Sequence, residues 1–169
     1  MDKEISYPLL LNKAGDYMVY LMETYLDDDR LPVIEKTKIC EEKITLNNPE
    51  LIFNFLNKYF RLGKRTEEYV YLMCFDTKSH PLGLFEISHG TINSSMLSPR
   101  ETYMKALLCG AANIILIHNH PSGSTTPSQD DLNIMERIKS VGELLSLPLI
   151  DFIICGDVCY FSAKKQSLL

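Results

Sequence analysis

The stretch IILIHNHPSG, residues 114–123, decides the fold of this chain. Its first four residues form an unbroken apolar run, which is typical of a strand buried on both faces. Turn-forming residues follow, and His118 and His120 stand where the run ends. Because side chains at positions i and i+2 of an extended chain point to the same side, both imidazoles can converge on one metal ion.

A carboxylate follows at a helix start. Asp131 lies at the beginning of an amphipathic segment, three residues after Ser128. Two imidazoles and one carboxylate make three ligands, and zinc prefers four, so one position stays open as in catalytic zinc sites. Each residue also has a simpler explanation, because histidines occur in loops and S-x-x-D is a capping box. The joint spacing of the three residues favours a metal site over those explanations.

Glu86 is the second feature with chemical meaning, because it interrupts the apolar run of residues 84–87. An unpaired carboxylate inside such a run is costly to bury. A hydrolytic metal site needs a proton acceptor that is not itself a ligand, and Glu86 is a candidate for it. The alternative is that Glu86 faces solvent on an alternating strand.

The order of helical and strand patterns along the chain predicts an α/β (α+β) protein, with a mixed sheet flanked by helices. Residues 1–43 are expected to form an N-terminal helix (residues 14–26) and a polar linker arm, and residues 44–169 the main domain. Asn48 and Ser98, each followed by proline, predict helix starts, the latter with a capping box completed by Glu101. A third helix is expected over residues 128–141. Strands are predicted at residues 69–75, 82–88, 114–117, 149–155 and 158–162, the first two as a hairpin.

Composition narrows the class of protein. A chain of 169 residues with 46% hydrophobic and 23% charged residues suits one globular domain. The net charge of −5 disfavours a protein that mainly binds the phosphate backbone of nucleic acid. With no signal peptide and no long apolar run, the expected location is the cytoplasm, away from the membrane. The odd number of cysteines, five, predicts free thiols, although Cys155 and Cys159 leave metal binding open.

These residues together resemble a known signature. Glu86, His118-x-His120, seven residues, Ser128, two residues and Asp131 reproduce the JAMM (MPN-plus) metalloprotease motif. The surrounding sequence is similar to the RadC-like JAB-domain proteins of bacteria over residues 44–163. The matching stretches are GTINSS at 90–95, PRE at 99–101, HNHPSG at 118–123, PS at 127–128 and LID at 149–151.

The resemblance implies a curved sheet of the cytidine-deaminase-like type and hydrolysis of peptide or isopeptide bonds. It implies zinc bound by His118, His120 and Asp131, with Glu86 as the base. It also implies Ser128 as a donor that stabilises an oxyanion. Met135 and Phe152 depart from residues that are frequent in this group, which bears on the pocket wall and not on the ligands.

Three functions follow from the residues and the resemblance. The first is a zinc-dependent hydrolase of a peptide or protein substrate whose identity the sequence does not reveal. The second is a DNA repair or recombination factor, and the third is a metal-stabilised interaction module without turnover. Specificity is expected in the loops at residues 90–97 and 123–126. The predicted N-terminal helix can pack on the domain or on a second copy, so a homodimer stays open.

Overall fold

The centre of the fold is a fully buried strand. In the computed structural model, which describes residues 17–42, 44–90 and 97–169, all seven residues of the fifth strand, Asn113–Asn119, are buried. This strand, β5, pairs antiparallel with β3, Glu68–Phe75, and parallel with β6, Leu149–Cys155. Burial on both faces explains its continuous apolar sequence, as the prediction required.

One mixed sheet of seven strands contains β5, in the order β2-β1-β4-β3-β5-β6-β7. Pairs β3–β4, β3–β5, β1–β2 and β6–β7 are antiparallel, and pairs β1–β4 and β5–β6 are parallel. The predicted mixed sheet flanked by helices is confirmed. The other strands are β1 Tyr20–Leu26, β2 Pro32–Lys38, β4 Pro81–Gly90 and β7 Tyr160–Ser162.

Helices cover both faces of the sheet, so the molecule has three layers. Helix α1, Pro49–Phe60, buries Ile52 and Leu56 against one face. Helices α2, Pro99–Leu108, and α3, Gln129–Leu144, pack on the opposite face. Side chains therefore alternate between an α1 face and an α2/α3 face along each strand. Among the described residues, no helix is long and apolar enough to span a bilayer.

The N-terminal prediction is wrong in the part that the structure describes. Residues 20–26 form strand β1 instead of a helix, and β2 crosses the predicted linker arm. Asp27 builds the turn between them, because its Oδ1 accepts hydrogen bonds from the backbone N–H groups of Asp29 (3.0 Å) and Leu31 (2.8 Å). The arm is therefore a hairpin joined to the main sheet, and residues 14–16 of the expected helix lie outside the described part.

Helix starts agree with the sequence except in one detail. Asn48 caps α1, since its Oδ1 accepts from Leu51 N at 2.9 Å. Ser98 stands at the N-cap of α2, but its side chain makes no capping hydrogen bond, so the capping box predicted with Glu101 is wrong. All five cysteines are free thiols, as predicted.

Candidate metal centre

The first histidine, His118, lies near the carboxyl end of strand β5. His118 pairs with Val70 of β3 and with Ile154 of β6, and only 3% of it is exposed. The side chain of Asn119 fixes this strand end, because its Oδ1 accepts from Tyr69 N at 2.8 Å and its Nδ2 donates to Glu67 O at 3.1 Å. His118 therefore sits on the α2/α3 face with little freedom to move.

The three predicted ligands meet at one point. The Nε2 atoms of His118 and His120 lie 3.1 Å apart. Asp131 presents Oδ1 at 3.1 Å from His118 Nε2 and Oδ2 at 3.2 Å from His120 Nε2. Over the described residues, this cluster is the one group of three His, Cys, Asp or Glu side chains with a metal-binding arrangement, with ligand atoms within 4.8 Å of one another.

The spacing of the nitrogens fits a shared metal ion. Two nitrogens at about 2.0–2.1 Å from a tetrahedral zinc stand roughly 3.3 Å apart, close to the 3.1 Å found here. Without an ion, the lone pairs of two neutral Nε2 atoms at that separation would repel each other, so a proton must lie between the imidazoles and the carboxylate. A metal cation bound by His118, His120 and Asp131 would remove this repulsion. The donor set and its spacing therefore suit zinc.

The tautomer of His120 favours this assignment. Its Nδ1 lies 2.8 Å from the carbonyl oxygen of Ser124. A carbonyl oxygen can only accept, so Nδ1 carries a proton, and Nε2, which faces Asp131, is the atom that can bind a metal once it is deprotonated. Such a hydrogen bond from the non-ligating nitrogen is the usual way in which proteins orient metal-binding histidines.

Helix α3 holds the carboxylate in place. Ser128 Oγ donates to Asp131 Oδ2 at 2.6 Å, Ser128 N donates to the same oxygen at 2.7 Å, and Asp131 N donates to Ser128 Oγ at 3.2 Å. This is the predicted capping box. The Ser128 hydroxyl proton is thus used on Asp131, so the geometry gives Ser128 a positioning part, and its part as an oxyanion donor stays a prediction.

The charged forms of Asp131 and His120 stabilise each other. Burial would raise the pKa of Asp131, but hydrogen bonds from His118, His120 and Ser128 outweigh it and hold that pKa well below its ordinary range. The Asp131 carboxylate in turn raises the pKa of His120, against the opposing effect of burial, with smaller contributions from the Ser124 carbonyl and the charge of Glu68. Asp131 is therefore ionised at neutral pH and ready to bind a cation.

Glu86 does not lie with the three ligands. It pairs with Tyr71, which pairs with Ile117, so its side chain occupies the α1 face of the sheet. Its carboxylate lies 2.7 Å from His89 Nδ1 and accepts from Tyr71 Oη at 3.4 Å. His118 lies on the opposite face. The geometry therefore gives no support to Glu86 as the base, and that role stays a prediction.

A second carboxylate, that of Glu68, lies near His120. The β3–β5 register that joins Val70 to His118, carried two residues further, places Glu68 opposite His120. Glu68 is half-buried on the α2/α3 face, and its charge acts on His120. Its nearness to His120 depends on strand register, which one sequence does not reveal. Its place two residues before the buried Val70 is the signal that could have revealed it.

An apolar wall backs the cluster. His118 and Asp131 share a small cavity with Ser88, Ile134 and Phe152. The ring of Phe152 lies 5.1 Å from that of His118, so this departure from the family pattern forms part of the wall. Met135, the other departure, is buried in the core. Most of the specificity loop expected at residues 90–97 lies outside the described residues.

Comparisons with known proteins agree with this geometry. The family model described as "RadC-like JAB domain" matches residues 46–168. A UPF0758 protein of Clostridium tetani is 39% identical over 128 residues, covering 76% of this chain and 55% of that protein. A UPF0758 protein of Geobacter sulfurreducens is 35% identical over 135 residues, covering 80% and 57%.

The chain spans about half the length of the curated relatives it matches. Their names describe no activity. The matched segment begins two residues after the predicted domain start and contains β3 to β7, the three helices and all three predicted ligands. On this match, the chain belongs to the RadC-like JAB domain family.

Proposed function

We propose that this chain is a zinc-dependent hydrolase that cleaves peptide or isopeptide-type bonds. The observation that carries the proposal is the convergence of His118, His120 and Asp131 within 4.8 Å, in a donor set with fewer ligands than zinc prefers. Zinc bound in such an open set lowers the pKa of a bound water to about 7. In the part of the chain that the structure describes, no feature favours DNA over a peptide-type substrate.

The chain's own groups supply proton transfer. The base must lie close to the cluster without ligating, and Glu68 is the candidate because its charge acts on His120 and it is outside the three-residue ligand group. In the proposal, the Glu68 carboxylate accepts a proton from the attacking water and returns it to the leaving amine. Ser128 keeps Asp131 oriented, and the wall around Phe152 limits access of bulk water to His118.

A matched pair of variants tests this proposal. Zinc-loaded wild type, Glu68→Gln and Glu86→Gln are assayed on a survey of peptide and isopeptide substrates, with zinc content measured in each. We expect Glu68→Gln to keep zinc and lose at least about 100-fold in kcat, and Glu86→Gln to retain most of kcat. The reverse result would return the base to Glu86. Full zinc content without turnover in the wild type would favour the interaction module.

A further inference from the structure

One edge of strand β4 is open where it approaches the metal-bearing end of the sheet. On one side, β3 pairs with β4 as far as Gly90. On the other side, β1 pairs with it only through Leu21–Leu84 and Met22–Phe85. Within the described ranges, residues 86–90 therefore have no strand partner on that side. Such an edge offers backbone donors and acceptors to an added strand.

The gap between β1 and β4 is a cavity of about 280 Å³. It is lined by residues 21–25 of β1 and by Glu86 and Lys105. Lys105 Nζ donates to the backbone carbonyl of Glu86 at 3.2 Å, so a flexible side chain occupies an acceptor that a strand would use in a continuous sheet. This contact shows that the Glu86 carbonyl is directed to the open side.

Three carboxylates, those of Glu23, Glu35 and Glu86, lie beside this gap together with the Lys105 ammonium, and Glu86 also contacts His89. Glu23 follows Leu21 on the same face as Glu86, and it stands directly opposite Glu35 of β2. Like charges in opposite positions of a strand pair destabilise the sheet unless a cation lies between them. Tyr25 lies two residues further on that face. Carboxylates combined with aromatic rings suit lysine and arginine side chains.

One cation–π contact is present on the α1 face of the sheet. The Arg65 guanidinium lies 4.9 Å above the centre of the Tyr69 ring, and Tyr69 stacks on Tyr71, whose hydroxyl donates to Glu86. The β4 edge then runs to Gly90, which pairs with Glu68, opposite His120. A segment that follows this edge therefore arrives at the end of the sheet that carries the metal ligands.

We propose that an extended, basic segment of a polypeptide substrate binds as an added strand along β4, with cationic side chains against Glu23, Glu35 and Glu86. This inference rests on the proposed hydrolase function and adds the class of substrate. It also gives Glu86 a part in recognition, which its position on the α1 face suits better than proton transfer at the metal. Lys105 leaves the Glu86 carbonyl when the added strand binds.

Binding is tested apart from turnover. A fluorescent ten-residue peptide of alternating lysine and threonine is titrated against the metal-free His118→Ala protein by anisotropy. Probes for comparison are a glutamate–threonine peptide and a lysine–threonine peptide with alternate backbone nitrogens methylated. We expect the basic peptide to bind, and both comparison peptides to bind at least about fivefold more weakly. Equal binding of the three peptides, or none by the basic one, would overturn the inference.

Two variants of the same protein locate the site. Replacing Glu23 and Glu35 together by glutamine should weaken binding of the basic peptide about fivefold. Glu136→Gln removes one exposed carboxylate from α3 and should leave binding unchanged. Equal effects of the two variants would contradict the assignment to β4. Because no turnover enters these titrations, failure here leaves the proposed hydrolase function standing, and failure of the kinetic test leaves peptide binding measurable.

Discussion

Replacing Ser128 by alanine separates positioning of the metal ligand from direct participation in catalysis. The substitution removes the 2.6 Å hydrogen bond from Ser128 Oγ to Asp131 Oδ2 and the acceptor of Asp131 N, and it leaves the bond from Ser128 N. Loss of the cap should cost about 1 kcal/mol of stability. Loss of a group that orients a ligand should lower zinc affinity about 10–100-fold, or about 1.4–2.7 kcal/mol.

The assay has two parts, urea unfolding of the chelated protein and competitive zinc titration of the folded protein. Ser98→Ala is the matched control, because Ser98 occupies the same N-cap position on α2 without a side-chain capping bond. It should change stability by a few tenths of a kcal/mol at most and leave zinc affinity unchanged. If Ser128→Ala keeps wild-type zinc affinity and loses about 100-fold or more in kcat, Ser128 is an oxyanion donor and the positioning role is refuted.

Two further outcomes follow from the same structure. Zinc affinity should fall as pH decreases through the raised pKa of His120, because protonated His120 must release that proton to bind, while Asp131 stays ionised. Titrations between about pH 6 and pH 8 check this, and a flat profile would contradict it. Gly63→Ala should cost about 3 kcal/mol in urea unfolding, because its Cβ would overlap the Gly156 carbonyl, whereas Gly83→Ala meets only the flexible Met22 side chain and should cost less.

Local sequence was sufficient to predict the three clustered residues, but not to choose between two candidate bases. His118 lies in the buried strand β5, His120 follows the end of that strand, and Asp131 lies in the first turn of the next helix, so their joint local spacing points to one site. Glu68 and Glu86 lie 50 and 32 residues before His118. Which of them faces the metal depends on the pairing of β3 with its neighbours and on a bulge in the β3–β4 ladder, and one sequence does not reveal that register.

The N-terminal strands show that periodicity in a short segment does not distinguish a helix from a strand. Apolar residues at 17, 18, 21, 22 and 25 match helical spacing, yet β1 buries Met22 against the sheet core instead. In a short segment the two periods overlap, and pairing with β2 and β4 decides the outcome. The Asp27 turn between two seven-residue strands was the available signal for a hairpin.

The most direct test of the metal centre is zinc content per chain, measured by mass spectrometry after dialysis. The wild type should hold about one zinc. His118→Ala and Asp131→Ala should lose it, because each removes one of three ligands that meet within 4.8 Å. His80→Ala, which removes a histidine paired with Asp76 in the turn between β3 and β4, should keep it. Equal zinc in His118→Ala, Asp131→Ala and the wild type would contradict the assignment of the metal centre.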